Sequence, residues 1–212
     1  MTAGLAQSIE QGSDAWKNMR CGRVTASRIT DVTAKIKTGE SADRRNYRAQ
    51  IVTEILTGEP AADGFTNEAM RWGTEQEPFA RAAYEVLTGC MVDQVGMVLH
   101  PTIARAAASP DGLVGDDGLV EIKCPNTATH LDYLLAGVVP AKYQPQMLWQ
   151  MACCERDWCD FVSFDPRLPD HLQLFVKRFH RDDVRIDAIT SEVESFLREV
   201  DQMLAKLEAI HV

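Results

Sequence analysis

Ser109, Pro110, Asp111, Gly112 and Leu113, followed shortly by Gly118, Leu119, Val120, Glu121, Ile122, Lys123, Cys124 and Pro125, constrain this chain more than any other stretch. Two short apolar runs separated by a turn rich in glycine and aspartate read as neighbouring β-strands. Asp111 and Glu121 stand ten positions apart across that turn, so a hairpin sets them side by side. Glu121 and Lys123 differ by two and project from one face of their strand. Charges set among Leu119, Val120, Ile122 and Cys124 on a central strand are costly unless paired or bound to metal. A structural ion pair is the alternative reading of the same residues.

Two carboxylates suit a hard cation such as Mg²⁺, which takes oxygen ligands and keeps several waters; the Ile122 carbonyl adds a further oxygen. Such a cation lowers the pKa of its water and offsets charge building on phosphorus, while Lys123 orients the nucleophile or holds the phosphate. The combination points to phosphodiester hydrolysis.

Around this centre the apolar spacing predicts helices over residues 26–34, over 47–56 with Tyr47, Ile51, Ile55 and Leu56 on one face, and over 67–87. The last of these stops at Gly89, carries Pro78 as an expected kink or restart, and sets Gly73, Glu77 and Arg81 on one stripe. Residues 91–100, 103–108 and 119–123 read as a β-meander. Helices follow over 129–135 and 143–153, then strands over 159–164 and 172–180. Loops are expected at 37–46 and 56–66. A terminal helix over 182–208, capped by Asp182 or Asp183, repeats Val184, Ile189, Val193, Phe196, Leu197, Val200, Leu204 and Leu207. Helices before, between and after a group of strands give an α/β class, a central mixed β-sheet flanked by helices. One domain is expected over 1–212, with its core in 10–180.

Composition limits the partners. With 31 acids against 22 bases the net charge is −9, which argues against non-specific coating of nucleic acid. Bases nonetheless gather in residues 20–28, 35–48 and 177–185, and part of the acid excess sits towards the C-terminus. Six cysteines without the paired spacing of a zinc or iron–sulfur site read as reduced thiols. No run is apolar enough for a membrane span, and the N-terminus lacks a signal-peptide pattern, so a cytoplasmic protein with no membrane partner is expected.

Five blocks stand in a telling order: Trp16 to Arg20 leading into Val24, Thr25, Ala26 and Ser27; Arg71, Trp72, Gly73, Thr74, Glu75, Gln76 and Glu77; Ser109 to Gly112; Leu119 to Pro125; and Tyr143 with Gln146. Over about residues 10–165 they resemble the lambda exonuclease group of phage recombination nucleases, the YqaJ-like viral recombinases, within the PD-(D/E)xK superfamily. The resemblance implies a restriction-endonuclease-like core with Asp111, Glu121 and the Ile122 carbonyl as metal ligands and Lys123 as the catalytic lysine. It further implies Glu77 as the helix-borne glutamate bordering the metals and Gln146 lining the active site, with Gln150 the less favoured glutamine. Arg20, Ser27 and Ser109 fall at a pocket for a terminal 5′-phosphate, Met70 at an apolar wedge between terminal bases, and Lys37 in a loop touching the duplex. Cys153, Cys154, Glu155 and Arg156 depart from the small and aliphatic residues usual after the glutamine helix.

The activity so implied is a 5′-to-3′ exonuclease using Mg²⁺ at a two-metal site, with Mn²⁺ as a plausible substitute. It degrades one strand of linear double-stranded DNA to mononucleotides and leaves 3′ tails for recombination. A ring-shaped homotrimer, a phage single-strand annealing protein as partner, and a phage or prophage gene expressed in the bacterial cytoplasm belong to the same expectation. The alternatives are a structure- or site-specific endonuclease on the same core and a non-catalytic DNA-end-binding scaffold.

Overall fold

The computed structural model of the chain describes residues 9–61 and 68–210. In chain order the elements are α1 (Asp14–Arg20), β1 (Val24–Thr25), a 3₁₀ turn (Ala26–Arg28) running into α2 (Ile29–Thr33), α3 (Ala42–Thr57) and α4 (Glu68–Thr88). Strands β2 (Val92–Asp93), β3 (Val98–Leu99), β4 (Ala106–Ala108), β5 (Gly112–Val114) and β6 (Gly118–Lys123) follow. Then come α5 (Thr127–Ala136), α6 (Gln144–Cys154), β7 (Trp158–Phe164), β8 (Leu174–His180) and α7 (Asp183–Glu208).

The strands form two sheets rather than one meander. A mixed five-stranded sheet runs β2-β5-β6-β7-β8, and a small three-stranded one runs β1-β4-β3. Residues 91–100, expected as one strand, are thus split between the sheets, with β2 on β5 and β3 on β4. Only β6 and β7 pair in parallel in the larger sheet, and α5 and α6 supply the crossover that parallel pairing requires. The class foreseen from the sequence, helices around a mixed sheet with a long terminal helix, is what forms.

Alternation along β6 decides which side chains meet. Leu119 and Glu121 face the layer of α6, α7 and the small sheet, where Trp149, Phe161, Phe196 and Val200 are buried. Val120 and Ile122 face α4, against Ala80, Tyr84 and Val162. Close packing fixes the sheet at Gly118, where a Cβ would lie 2.1 Å from the Trp158 ring, so no larger residue fits without moving that indole.

Helix α3 begins earlier than expected because Ser41 caps it, accepting the Asp43 amide; the loop foreseen at 37–46 is therefore shorter. Its inner face carries Tyr47, Ile51, Val52 and Glu54, whereas Ile55 and Leu56 are exposed. Glu54 is buried because it accepts the Gly22 amide at 2.7 Å from the turn after α1. Pro78 does not restart α4, which runs unbroken across it to the left-handed Gly89 at φ 70°. The expected start of that helix at Asn67, and residues 62–66 of the foreseen loop, lie outside the described residues. Leu172 belongs to a 3₁₀ turn, so the last strand begins at Leu174. In α7, capped by Asp182, Ile186 takes the buried place expected of Val184, which is 80 % exposed. Ile186, Ile189, Val193, Phe196, Leu197 and Val200 each contribute about 1.5–3 kcal/mol of apolar burial there.

The basic stretch at 35–48 is largely taken up by α7. Arg44 and Arg48 pair with Glu199 at 2.7 and 2.9 Å, and Lys35 with Glu192 at 2.6 Å. All six cysteines are free thiols, and among the described residues no helix is long and apolar enough to cross a membrane.

Candidate active site

Strand β5 ends where β6 continues, and the site occupies the step. The ladder pairs Gly112 with Val120, which carries Asp111 alongside Glu121. Asp111 Oδ2 accepts the Ile122 N–H at 2.6 Å in place of a further β5 residue. A strand residue's N–H and C=O leave on the same side, so the Ile122 carbonyl points across this step too. Glu121 is 0 % exposed. Its Oε1 lies 2.5 Å from Lys123 Nζ and accepts Gln146 Nε2 at 2.6 Å, while Oε2 accepts Gln150 Nε2 at 2.6 Å. Gln146 and Gln150 are one turn apart on α6, so both reach the same carboxylate. The favoured glutamine is thus joined by the one the sequence ranked lower.

Asp111 and Glu77 line two adjoining clefts. One, of about 400 Å³, also takes in Met70, Gly73, Lys123 and Tyr143; the other, of about 780 Å³, takes in Gln11, Trp16, Arg81 and Gln94. Glu77 is partly buried and accepts Arg81 Nη2 at 2.6 Å, which orients it along the α4 stripe foreseen from the sequence. Met70 is 57 % exposed at the mouth of the first cleft. Lys37 is exposed in the loop between α2 and α3 and is not among the residues lining either cleft.

The electrostatics fit a cation. Burial, and next the charge of Glu121, hold the Asp111 carboxyl well above its ordinary value. Burial works against the charge on Lys123, but Glu121 and Asp111 outweigh it and hold the ammonium above the usual lysine range. Lys123 is therefore a donor in this arrangement, suited to gripping phosphate or orienting water. Burial pushes the Cys124 thiol, on the same cleft, up to about 12, so it is protonated at neutral pH. Among the described residues no three His, Cys, Asp or Glu side chains gather as a ready metal cluster. Asp111, Glu121 and the Ile122 carbonyl, with room for waters, match what Mg²⁺ accepts. The wholly buried Gln150 also leaves its Oε1 without a partner among the described residues, a vacant acceptor beside these ligands. Bound there, a divalent cation supplies an acidified water and charge compensation at phosphorus.

Arg20 and Ser27 come together, and Ser109 joins them through a residue the sequence reading did not place in the site. Arg20 Nη2 donates to Thr25 Oγ1 and Ser27 Oγ at 3.2 and 3.3 Å. The guanidinium lies 4.2 Å over the Trp16 ring, whose Nε1 donates to Ser109 Oγ at 3.0 Å. The spacing of Trp16 and Arg20, one helical turn apart, was the available signal. Trp16 borders both the 780 Å³ cleft at Asp111 and a 470 Å³ cleft lined by Arg20, Arg23 and Arg28. Arg28, also unforeseen, is steadied by Asp31, by Gln50 at 3.0 Å and by the Tyr47 ring at 4.2 Å.

Comparison with known proteins agrees with this architecture. An alkaline exonuclease from Laribacter hongkongensis is 48 % identical, with a TM-score of 0.86 over 92 % of this chain and 96 % of that one. The same enzyme in complex with dAMP matches equally. A phage-related exonuclease from Haemophilus somnus 129PT, 18 % identical, shares the fold with a TM-score of 0.71 over 90 % of this chain and 99 % of that one. No curated protein matches. Residues 15–157, which hold every candidate site residue from Arg20 to Gln150, match the YqaJ-like viral recombinase domain, and the chain belongs to that family.

Proposed function

We propose that the chain is a divalent-cation-dependent exonuclease that degrades one strand of linear double-stranded DNA in the 5′-to-3′ direction. It releases mononucleotides and leaves 3′ single-stranded tails for phage-type recombination. The observation that carries the reading is the meeting of Asp111, Glu121 and Lys123 beside β5, with Asp111 lining a cleft that shares Trp16 with an arginine-lined one. The 48 % identity to an alkaline exonuclease over nearly the whole of both chains supports it.

In this reading Asp111, Glu121 and the Ile122 carbonyl hold Mg²⁺, or Mn²⁺ in its place, at a two-metal site. Lys123, Gln146 and Glu77 arrange the nucleophile and scissile phosphate, and Arg20, Ser27 and Ser109 bind the 5′-terminal phosphate. Burial, its largest influence, lowers the Arg20 pKa from the ordinary value, so a partly desolvated cation there gains by meeting a phosphate. Met70 wedges at the duplex end and Lys37 touches its backbone. A homotrimeric ring around the DNA, a single-strand annealing protein as partner, and a phage or prophage origin with action in the bacterial cytoplasm complete the proposal.

The test is digestion of linear duplex labelled at either end, with and without Mg²⁺. Loss of the 5′ label as mononucleotide, only with Mg²⁺ and only from a free end, is expected; digestion of a closed circle, or cleavage without divalent cation, would contradict the proposal. In the same assay Arg20→Ala is expected to lower the preference for 5′-phosphorylated over 5′-hydroxyl ends by about 10- to 100-fold, the worth of one charge-assisted contact. An unchanged preference would dismantle the pocket.

A further inference from the structure

Glu121 has two oxygens and three donors, and the donors are shared unevenly. Oε1 takes both Lys123 and Gln146, at 2.5 and 2.6 Å, whereas Oε2 takes Gln150 alone, at 2.6 Å. An ionised carboxylate accepts along about four directions, two on each oxygen. Oε1 is therefore saturated and Oε2 keeps one direction open. On Asp111 the Ile122 amide donates to Oδ2, the oxygen turned to β6.

Gln150 carries a second, independent mark. It is wholly buried, its amide nitrogen is committed to Glu121, and its Oε1 has no partner among the described residues. A buried acceptor left empty carries an unrecovered desolvation cost, which any donor arriving beside Glu121 would offset. A water carried by a cation is such a donor. Gln146, by contrast, is partly exposed and shares its oxygen with Lys123, on the side of the substrate cleft.

We infer that Gln150 is a positioning residue for the cation: it aims Glu121 Oε2, the oxygen with a free direction, at the metal and offers its own Oε1 to a metal-borne water. Gln146 works with Lys123 on the other oxygen and has little part in holding the metal. This division between two glutamines one turn apart rests on the cation reading of the site.

The experiment titrates Mn²⁺ alone into the full chain without DNA, following free Mn²⁺ by its electron paramagnetic resonance signal. The unmodified protein is compared with Gln150→Met and Gln146→Met, methionine keeping the length of the side chain while removing the amide. Gln150→Met is expected to raise the Mn²⁺ dissociation constant about 10- to 100-fold, the usual cost of losing a residue that orients a ligand, and Gln146→Met less than about threefold. Wild-type affinity in Gln150→Met, equal losses in both variants, or a fall in metal-free melting temperature of Gln150→Met with no change in affinity would overturn the inference. Should Gln150→Met fail to fold, Gln146→Met decides: retained affinity supports the division and a tenfold loss refutes it. If the unmodified protein binds no Mn²⁺, the cation reading itself falls, a result that needs no variant and so is distinguishable.

Discussion

Lys123→Ala, Asp111→Ala and Glu121→Ala are each expected to reduce nucleotide release from linear duplex by at least about 10²–10³-fold, the scale of removing one charge-stabilising group from a preorganised site. Each variant should keep the circular dichroism of the parent. The three act as a unit, so a double variant should lose little more than a single one. Wild-type-like digestion by any single variant would discard the assignment of that residue.

Asp111→Asn separates catalysis from folding. Burial and the neighbouring Glu121 hold the Asp111 carboxyl well above its ordinary value, so the folded state binds that proton more tightly than the unfolded chain. Its contribution is therefore favourable below the ordinary aspartate range and is lost as pH rises through the elevated value. Without divalent cation, Asp111→Asn should melt higher than the parent at neutral pH while being inactive. A lower melting temperature would refute the electrostatic account of this pair.

The second large effect lies on the opposite face of the sheet, where α4, the helix carrying Glu77 and Met70, is anchored. Asp160 on β7 is buried and accepts Arg178 Nε and Nη2, both at 2.9 Å, and the Tyr84 hydroxyl of α4 at 2.8 Å. Burial first, and then the hydrogen bond to Asp160, raise the Tyr84 hydroxyl above its ordinary pKa. Asp160→Ala leaves that hydroxyl without its acceptor and removes the counter-ion of Arg178. The guanidinium is half-exposed and rehydrates, so the cost falls short of that for a fully buried pair, at about 3 kcal/mol. For a chain of this size that lowers the melting temperature by roughly 6–12 °C. A scan within about 2 °C of the parent would show that the network does not hold α4.

Much of the site was legible because its signals are local. Asp111 and Glu121 meet across one tight turn, and Glu121 and Lys123 share a face by strict alternation, so neither needed knowledge of the distant chain. Glu77 was named by the family resemblance, and the stripe that it shares with Gly73 and Arg81 gave only its helix face. What the sequence concealed depends on contacts between remote elements. Gln150 ranked below Gln146 in the sequence, and its bond to Glu121 shows only when α6 is laid against β6. Trp16 gives no sign of a place in the site until its indole is seen between Arg20 and Ser109. The splitting of residues 91–100 between two sheets was hidden for the same reason, since β1, two residues long, gives no periodicity and takes its parallel partner β4 some eighty positions away. Ile55 and Val184 fit their helical patterns yet stay exposed, because amphipathic spacing identifies a face but not where the neighbouring element stops covering it.

The central claim, that these side chains hold cations against a scissile phosphodiester, is tested most directly by diffraction from crystals soaked in Mn²⁺ and measured for anomalous scattering. An anomalous peak is expected in contact with Asp111 and Glu121, on the side of the Ile122 carbonyl. No peak there, in crystals of protein that still digests linear duplex, would contradict it.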